Sequence, residues 1–244
     1  MALALGARVT LISRIPPNFD AASLAGIDVH ALPANDVCRY DTRYDDDGNR
    51  TLLLLSEGES ISHSDITLRS GVDALIVAPA YHEIAGLPPS DAQVQAVALQ
   101  GPLRTSDQHG VVTSHAGAAG QAKPFLRQGV LAFFSEEDTA DPGALAHFVA
   151  RKGGIALLTR GWRGATLVTA DRERVLPSLP ANPIDPTGAG DCFATAFVVR
   201  YAETGDLDEA ARFALAAGAL AVEAPGLAGV ATRRQVEERL REAA

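Results

Sequence analysis

Gly188-Ala189-Gly190-Asp191 is the stretch of this sequence best equipped for chemistry. Its glycines let backbone amides turn toward one point and let a ligand approach closely. The apolar, small-residue run that follows, Cys192 to Phe197, reads as a helix whose N-terminus adds positive potential. Together these build a hole for an anion without a single lysine. Asp191 falls in the first helical turn, where a carboxylate can accept the proton of a hydroxyl attacking a phosphorus held over the amides. Taken alone, the same residues also describe a tight turn and an aspartate capping a helix, and most isolated strings of this kind are no more than that.

The elements that must position these residues alternate between two textures. Arg8–Ile15, Asp73–Ala80, Val97–Gly101, Val130–Ser135 and Ile155–Thr159 read as short buried strands, interleaved with helical patterns. That alternation predicts a mainly parallel sheet covered by helices, an α/β fold in three α/β/α layers. Beyond Gly188 the chain reads as helical over Asp191–Glu203, Leu207–Glu223 and Thr232–Ala243, broken at Glu203–Asp206 and Ala224–Gly229. Between Ile27 and Glu57 the texture changes. Val37–Tyr44 and Thr51–Ser56 flank the polar Asp45-Asp46-Asp47-Gly48-Asn49 and predict a hairpin, a small β flap within a single domain spanning 1–244. Its apolar Leu52–Leu55 needs covering by substrate, by the main domain or by a second subunit in a homodimer. An ordinary edge hairpin is the alternative.

Composition narrows the partners. The chain has 244 residues, 47% of them hydrophobic, enough for one large domain. A formal charge of -9 at pH 7 without a Lys/Arg block argues against nucleic acid, so an anionic ligand must be met locally. Two cysteines, Cys38 and Cys192, give neither a disulfide framework nor zinc spacing and point to a reducing cytoplasm. The first apolar run, Met1 to Gly6, is too short for a signal peptide and no run is long enough to span a bilayer, so no membrane partner is expected. The six histidines (His30, His63, His82, His109, His115 and His147) lack metal-ligand spacing. Cys192 reads as a small residue packing beneath the glycine loop, with a lowered thiol pKa as the alternative.

Asp185-Pro186-Thr187-Gly188-Ala189-Gly190-Asp191 resembles the C-terminal signature Asp-Thr-x-Gly-Ala-Gly-Asp of the ribokinase-like, or PfkB, carbohydrate kinases. The resemblance implies an ATP-dependent phosphotransferase acting on a hydroxyl of a small sugar or cyclitol. It makes Asp191 the catalytic base and puts the amides of Gly188, Ala189 and Gly190 in the anion hole. Asp185 would help organise a loop for a monovalent cation such as K+, although Val230 stands where several relatives place a cation-binding serine. Thr159-Arg160-Gly161-Trp162-Arg163-Gly164-Ala165 resembles the nucleotide-side strand and loop, bringing Thr159, Gly161 and Gly164 toward ATP; its other reading is a plain hairpin. Ser135-Glu136-Glu137-Asp138 follows a strand where relatives carry Asn-x-x-Glu, so Ser135 would serve phosphate and Asp138 a magnesium-bound water. A helix cap with acidic first-turn residues explains the same string. Ala216–Gly229 is similar to the helix and loop beside the adenine, with Gly226 in that loop.

Gln100-Gly101-Pro102-Leu103-Arg104, the Ser-Glu-Glu-Asp string and Glu223–Leu227 are together similar to a branch that includes plant myo-inositol kinases. Gln100 and Arg104, at a strand end, would contact acceptor or phosphate; Arg104 reads equally as a surface charge. Relatives open with a further strand, an acidic residue that grips substrate hydroxyls and a Gly-Gly segment. This sequence starts at Leu5-Gly6-Ala7-Arg8-Val9, which implies a reduced acceptor pocket and, as the alternative function, a non-catalytic nucleotide- or polyol-binding relative. A Rossmann dehydrogenase is disfavoured because Phe193 follows where a third glycine is needed, and no Walker lysine loop is present.

Overall fold

A computed structural model describes residues 1–44, 50–114 and 117–243. The turn expected over 45–49 and His115 lie outside the described residues. In chain order the strands are β1 (Thr10–Ile15), β2 (Asp28–Pro33), β3 (Arg39–Tyr44), β4 (Arg50–Ser56), β5 (Ala74–Val77) and β6 (Val94–Ala98). They continue with β7 (Arg104–Ser106), β8 (Val112–Ser114), β9 (Leu131–Ser135), β10 (Ile155–Thr159), β11 (Ala165–Val168) and β12 (Glu173–Leu176). The helices are α1 (Gln100–Leu103), α2 (Ala118–Ala122), α3 (Pro142–Arg151), α4 (Ala189–Thr204), α5 (Leu207–Ala221) and α6 (Arg233–Glu242).

Six strands form the central sheet in the order β12-β11-β10-β9-β6-β5. Its β5, β6, β9 and β10 run parallel, and β11 and β12 complete it antiparallel. Both faces are covered, and the alternation of side chains shows it. Leu131, Phe133 and Leu157 enter one core with α4, α5 and α6, while Ala132, Phe134, Ala156 and Leu158 enter the other with α2 and α3. The three layers expected from the sequence are therefore present.

Three local expectations change. Arg8–Ile15 was expected as a buried strand of the central sheet; β1 instead pairs in parallel with β2 alone and is largely half-exposed. Within the expected flap, β2 thus belongs to that outlying pair, and the hairpin itself is β3–β4. The strand expected at Val97–Gly101 ends at Ala98. There the chain turns, because the Leu99 amide donates to the Phe133 carbonyl at 2.8 Å and Gln100 begins a single helical turn.

Gly101 makes that turn fit. A Cβ at this position would lie 2.0 Å from the Pro79 carbonyl oxygen, so only glycine lets α1 settle onto the exit of β5. Gly101→Ala is expected to cost about 1–3 kcal/mol, the usual range for overpacking. Thermal or urea unfolding should show a lower midpoint, and an unchanged midpoint would mean that the two strand exits are not held together here.

Helix α4 is seated on the sheet by aromatic packing. Phe133 of β9 meets Phe197 edge-on with centroids 5.6 Å apart and Phe193 at 6.1 Å. Phe197 is fully buried. This fixes the helix that begins at the glycine loop.

Candidate active site

The C-terminal ends of the parallel strands lie side by side: Val77 pairs with Val97, Ala98 with Phe133, and Ser135 with Thr159. The segments leaving these ends carry Ala80, Gln100, Arg104, Ser135 and Asp138, which is where open α/β sheets bind ligands.

Helix α4 starts without a side-chain cap, because its N-cap is Gly188 at φ +80°. No L residue with a side chain adopts that angle readily, and none is present to satisfy the first-turn donors. The Ala189 amide donates to the Pro186 carbonyl at 3.2 Å. Among the described residues the amides of Gly188 and Gly190 have no backbone acceptor, so two donors at the positive end of the helix are free for an anion. Asp185 braces the loop beneath: its carboxylate accepts from the Thr187 amide at 2.9 Å and from the Gly226 amide at 3.0 Å. These bonds hold Asp185 below the usual carboxylate pKa, the Thr187 side chain contributing most. Gly226 is thereby brought against the glycine loop.

Asp191 lies in the first turn of α4 with its surface open to solvent. The protein packed around it still desolvates the carboxyl and raises its pKa, and the Arg104 guanidinium pulls the other way. Arg104 acts in the same sense on Asp138, whose pKa is also raised by burial. The charge of one cation therefore acts on both carboxylates, without an ion pair to either among the described residues. The Gln100 side chain adds a smaller effect in the same direction on Asp138.

Ser135 and Asp138 form a reciprocal cap on the 3-10 turn Glu136–Asp138. The Ser135 amide donates to Asp138 Oδ2 at 2.7 Å and the Ser135 hydroxyl accepts from the Glu137 amide at 3.3 Å. The capping reading of the sequence is realised, and the Ser135 amide fixes the Asp138 carboxylate at the exit of β9. The loop after β10 is tied to this turn by Arg163, which donates to Glu136 at 2.6 Å. Thr159 stands beside Ser135 in the sheet, and Gly161 begins the tied loop. Gly164 has a different local duty: a Cβ there would be 2.1 Å from the Leu176 carbonyl oxygen, so it permits the close approach of β11 and β12.

Three further residues complete the surroundings of Arg104. Arg104 Nη1 donates to the Ala80 carbonyl at 3.0 Å, and the Tyr40 hydroxyl of the flap donates to the same oxygen at 2.7 Å. The guanidinium carbon lies 4.9 Å from the Tyr40 ring centroid. Glu83 accepts from the Ala80 and Tyr81 amides at 3.2 and 2.7 Å and so fixes that peptide. Sequence reasoning passed over Tyr40, Ala80 and Glu83. Only the tyrosines on the otherwise polar strand β3 offered a signal.

Residues 128–233 match the profile of the pfkB family carbohydrate kinase. The ribokinase of Bacillus subtilis is 43% identical over 84 residues, which make up 34% of this chain and 29% of that protein. A nucleoside kinase of Methanocaldococcus jannaschii is 34% identical over 86 residues, 34% of this chain and 28% of that protein. The matched stretch therefore spans under a third of these relatives. In three dimensions the similarity extends much further. A sulfate complex of a pyrophosphate-dependent kinase in the ribokinase family superposes with a TM-score of 0.75 at 19% identity, covering 96% of this chain and 87% of that one.

Proposed function

We propose that this chain, which carries a pfkB-family carbohydrate kinase region on a ribokinase-like α/β/α fold, transfers the γ-phosphoryl group of ATP to a hydroxyl of a small sugar or cyclitol. The observation that carries this reading is the uncapped start of α4, which sets two free amides and the Asp191 carboxylate within one helical turn. In this reading the amides of Gly188 and Gly190 hold the oxygens of the transferring phosphoryl group. Asp191 accepts the proton of the attacking hydroxyl, and Arg104 offsets negative charge that builds between them.

Magnesium fits the donor set in one way. Among the described residues no group of three or more His, Cys, Asp or Glu gathers into a metal cage. Asp138 is a carboxylate at the strand ends, suited to a water of a magnesium ion carried mainly by phosphates. Such an ion neutralises phosphate charge when bound. The Ser135 cap keeps Asp138 turned toward the site. Thr159, Gly161, Gly164 and Gly226 border the place for the nucleotide, Gln100 contacts the acceptor, and K+ would sit beside the loop that Asp185 braces. The flap acts as a lid and, through exposed Leu55, as the place where a second copy would pair. No helix among the described residues is long and apolar enough to cross a membrane; the low cysteine count suits a cytoplasmic setting.

The pH dependence follows from the site. Asp191 works as a base only when deprotonated, and burial raises its pKa. Activity should fall as pH drops through a midpoint above the ordinary aspartate value. A kcat profile with its acid limb at or below that value would contradict the placement of the base.

ADP release with Mg-ATP against myo-inositol, ribose, fructose, 2-keto-3-deoxygluconate and adenosine tests the reading; with pyrophosphate as a second donor the product followed is orthophosphate. Acceptor-dependent release is the expected result. ATP binding without release on any acceptor would make the chain a non-catalytic relative.

A further inference from the structure

An arginine whose position matters at a strand-end site needs something to hold it there, because its long side chain has many rotamers and water competes for its donors. Arg104 spends one N–H on the Ala80 carbonyl and makes no ion pair among the described residues. Its remaining restraint comes from the flap. Tyr40 of β3 lies under the guanidinium at 4.9 Å and anchors to the same Ala80 oxygen. Burial keeps the phenol protonated well above its ordinary range, so it remains a donor at every working pH.

The flap reaches the Arg104 hairpin at a second point. The Leu54 amide of β4 donates to the Gly110 carbonyl at 2.8 Å, and Leu53 bridges Val111. Gly110 lies in the turn between β7, which starts at Arg104, and β8. A Cβ on Gly110 would stand 2.8 Å from the Leu54 carbonyl oxygen, so the contact is close. One hairpin thus grips the other at its base through Tyr40 and at its tip through Leu54.

We propose that Tyr40 is a positioning residue: the flap holds Arg104 against the reaction centre through the Tyr40 ring, so that flap placement and phosphoryl transfer are coupled. This rests on the kinase reading of the site, and Tyr40 itself touches no reacting atom. The aromatic face is what the coupling uses, so phenylalanine should substitute and leucine should not.

The test is a double-mutant cycle in kcat on the best acceptor, with thermal midpoints measured on every variant. Tyr40→Leu should lower kcat about tenfold in the wild-type background and less than about twofold in Arg104→Ala, because its effect passes through the arginine. Tyr40→Phe should keep at least about half of kcat, and the KM for ATP should move little in either variant. The same loss in both backgrounds, or phenylalanine as damaging as leucine, would overturn the proposal.

A second arm does not depend on turnover. The charged group that acts on Asp191 is Arg104, at the start of β7; the adjoining Cys192 thiol on α4 is itself acted on by the N-terminal ammonium and by Asp191. Carbon-detected NMR titration of the Asp191 carboxyl should show its midpoint rising in Tyr40→Leu, in the direction given by Arg104→Ala, with no further rise in the double variant. An unchanged midpoint in Tyr40→Leu would refute the positioning role. If no acceptor supports ADP release while this titration behaves as stated, the kinase reading fails and the positioning of Arg104 stands.

Discussion

Asp191→Asn should lower kcat by about 10²- to 10⁴-fold, the range of a general base removed from an otherwise intact site. The side chain keeps its size, and its neighbours lose no packing partner, since Asp191 lies on the open surface of the first turn. The aromatic seat of α4 on β9 is made by Phe193 and Phe197, further along the helix. Folding should therefore be unaffected, and ATP affinity should be maintained or slightly higher because one negative charge near the phosphates is gone. Asparagine cannot accept the hydroxyl proton. A rise in the KM for ATP with kcat unchanged would mean that Asp191 only shapes the nucleotide site.

Arg104→Ala carries the second large effect, a loss of about 10²- to 10³-fold in kcat, as for other preorganised charge stabilisers. Arg104 is the charged group that opposes the burial-driven rise of the Asp191 pKa. Its removal should also carry the acid limb of the pH profile to higher pH, because the carboxylate loses the cation that favours its charged form. The sign is informative: a limb moving to lower pH would show that Arg104 does not face the base. Lysine in its place should recover part of the pH effect and less of kcat, since an ammonium lacks the planar fork and stacks less well on Tyr40.

How legible this was in the sequence depends on how local each signal is. Strands β9 and β10 were readable because both faces are buried, which leaves runs such as Leu131–Phe134 and Ile155–Leu158 apolar without interruption. The C-terminal helices were readable from punctuation: Gly188 before α4, Asp206 capping α5 and Thr232 with Gln235 closing a capping box on α6. Strand β1 was recognisable as a strand, but its neighbour was not, because sheet membership is set by distant residues. The run Ala96–Leu99 is apolar past the end of its strand, so the turn at Gln100 was hidden until Gly101 was seen beneath the Pro79 carbonyl.

The site divides the same way. The glycine loop and Asp191 announce themselves because backbone approach demands those residue types. Ser135 and Asp138 supported two readings, and the structure shows the capping one in place. The support of Arg104 was not readable. It comes from the Ala80 carbonyl, which any residue carries, and from Tyr40, which lies 64 positions upstream on a different hairpin.

The central claim is tested most directly by measuring acceptor-dependent ADP release for the wild-type chain and Asp191→Asn side by side, with ATP affinity determined on both by calorimetry. The account predicts release by the wild type on at least one polyol, its collapse in the variant, and comparable ATP binding. Equal release by the two proteins would contradict it.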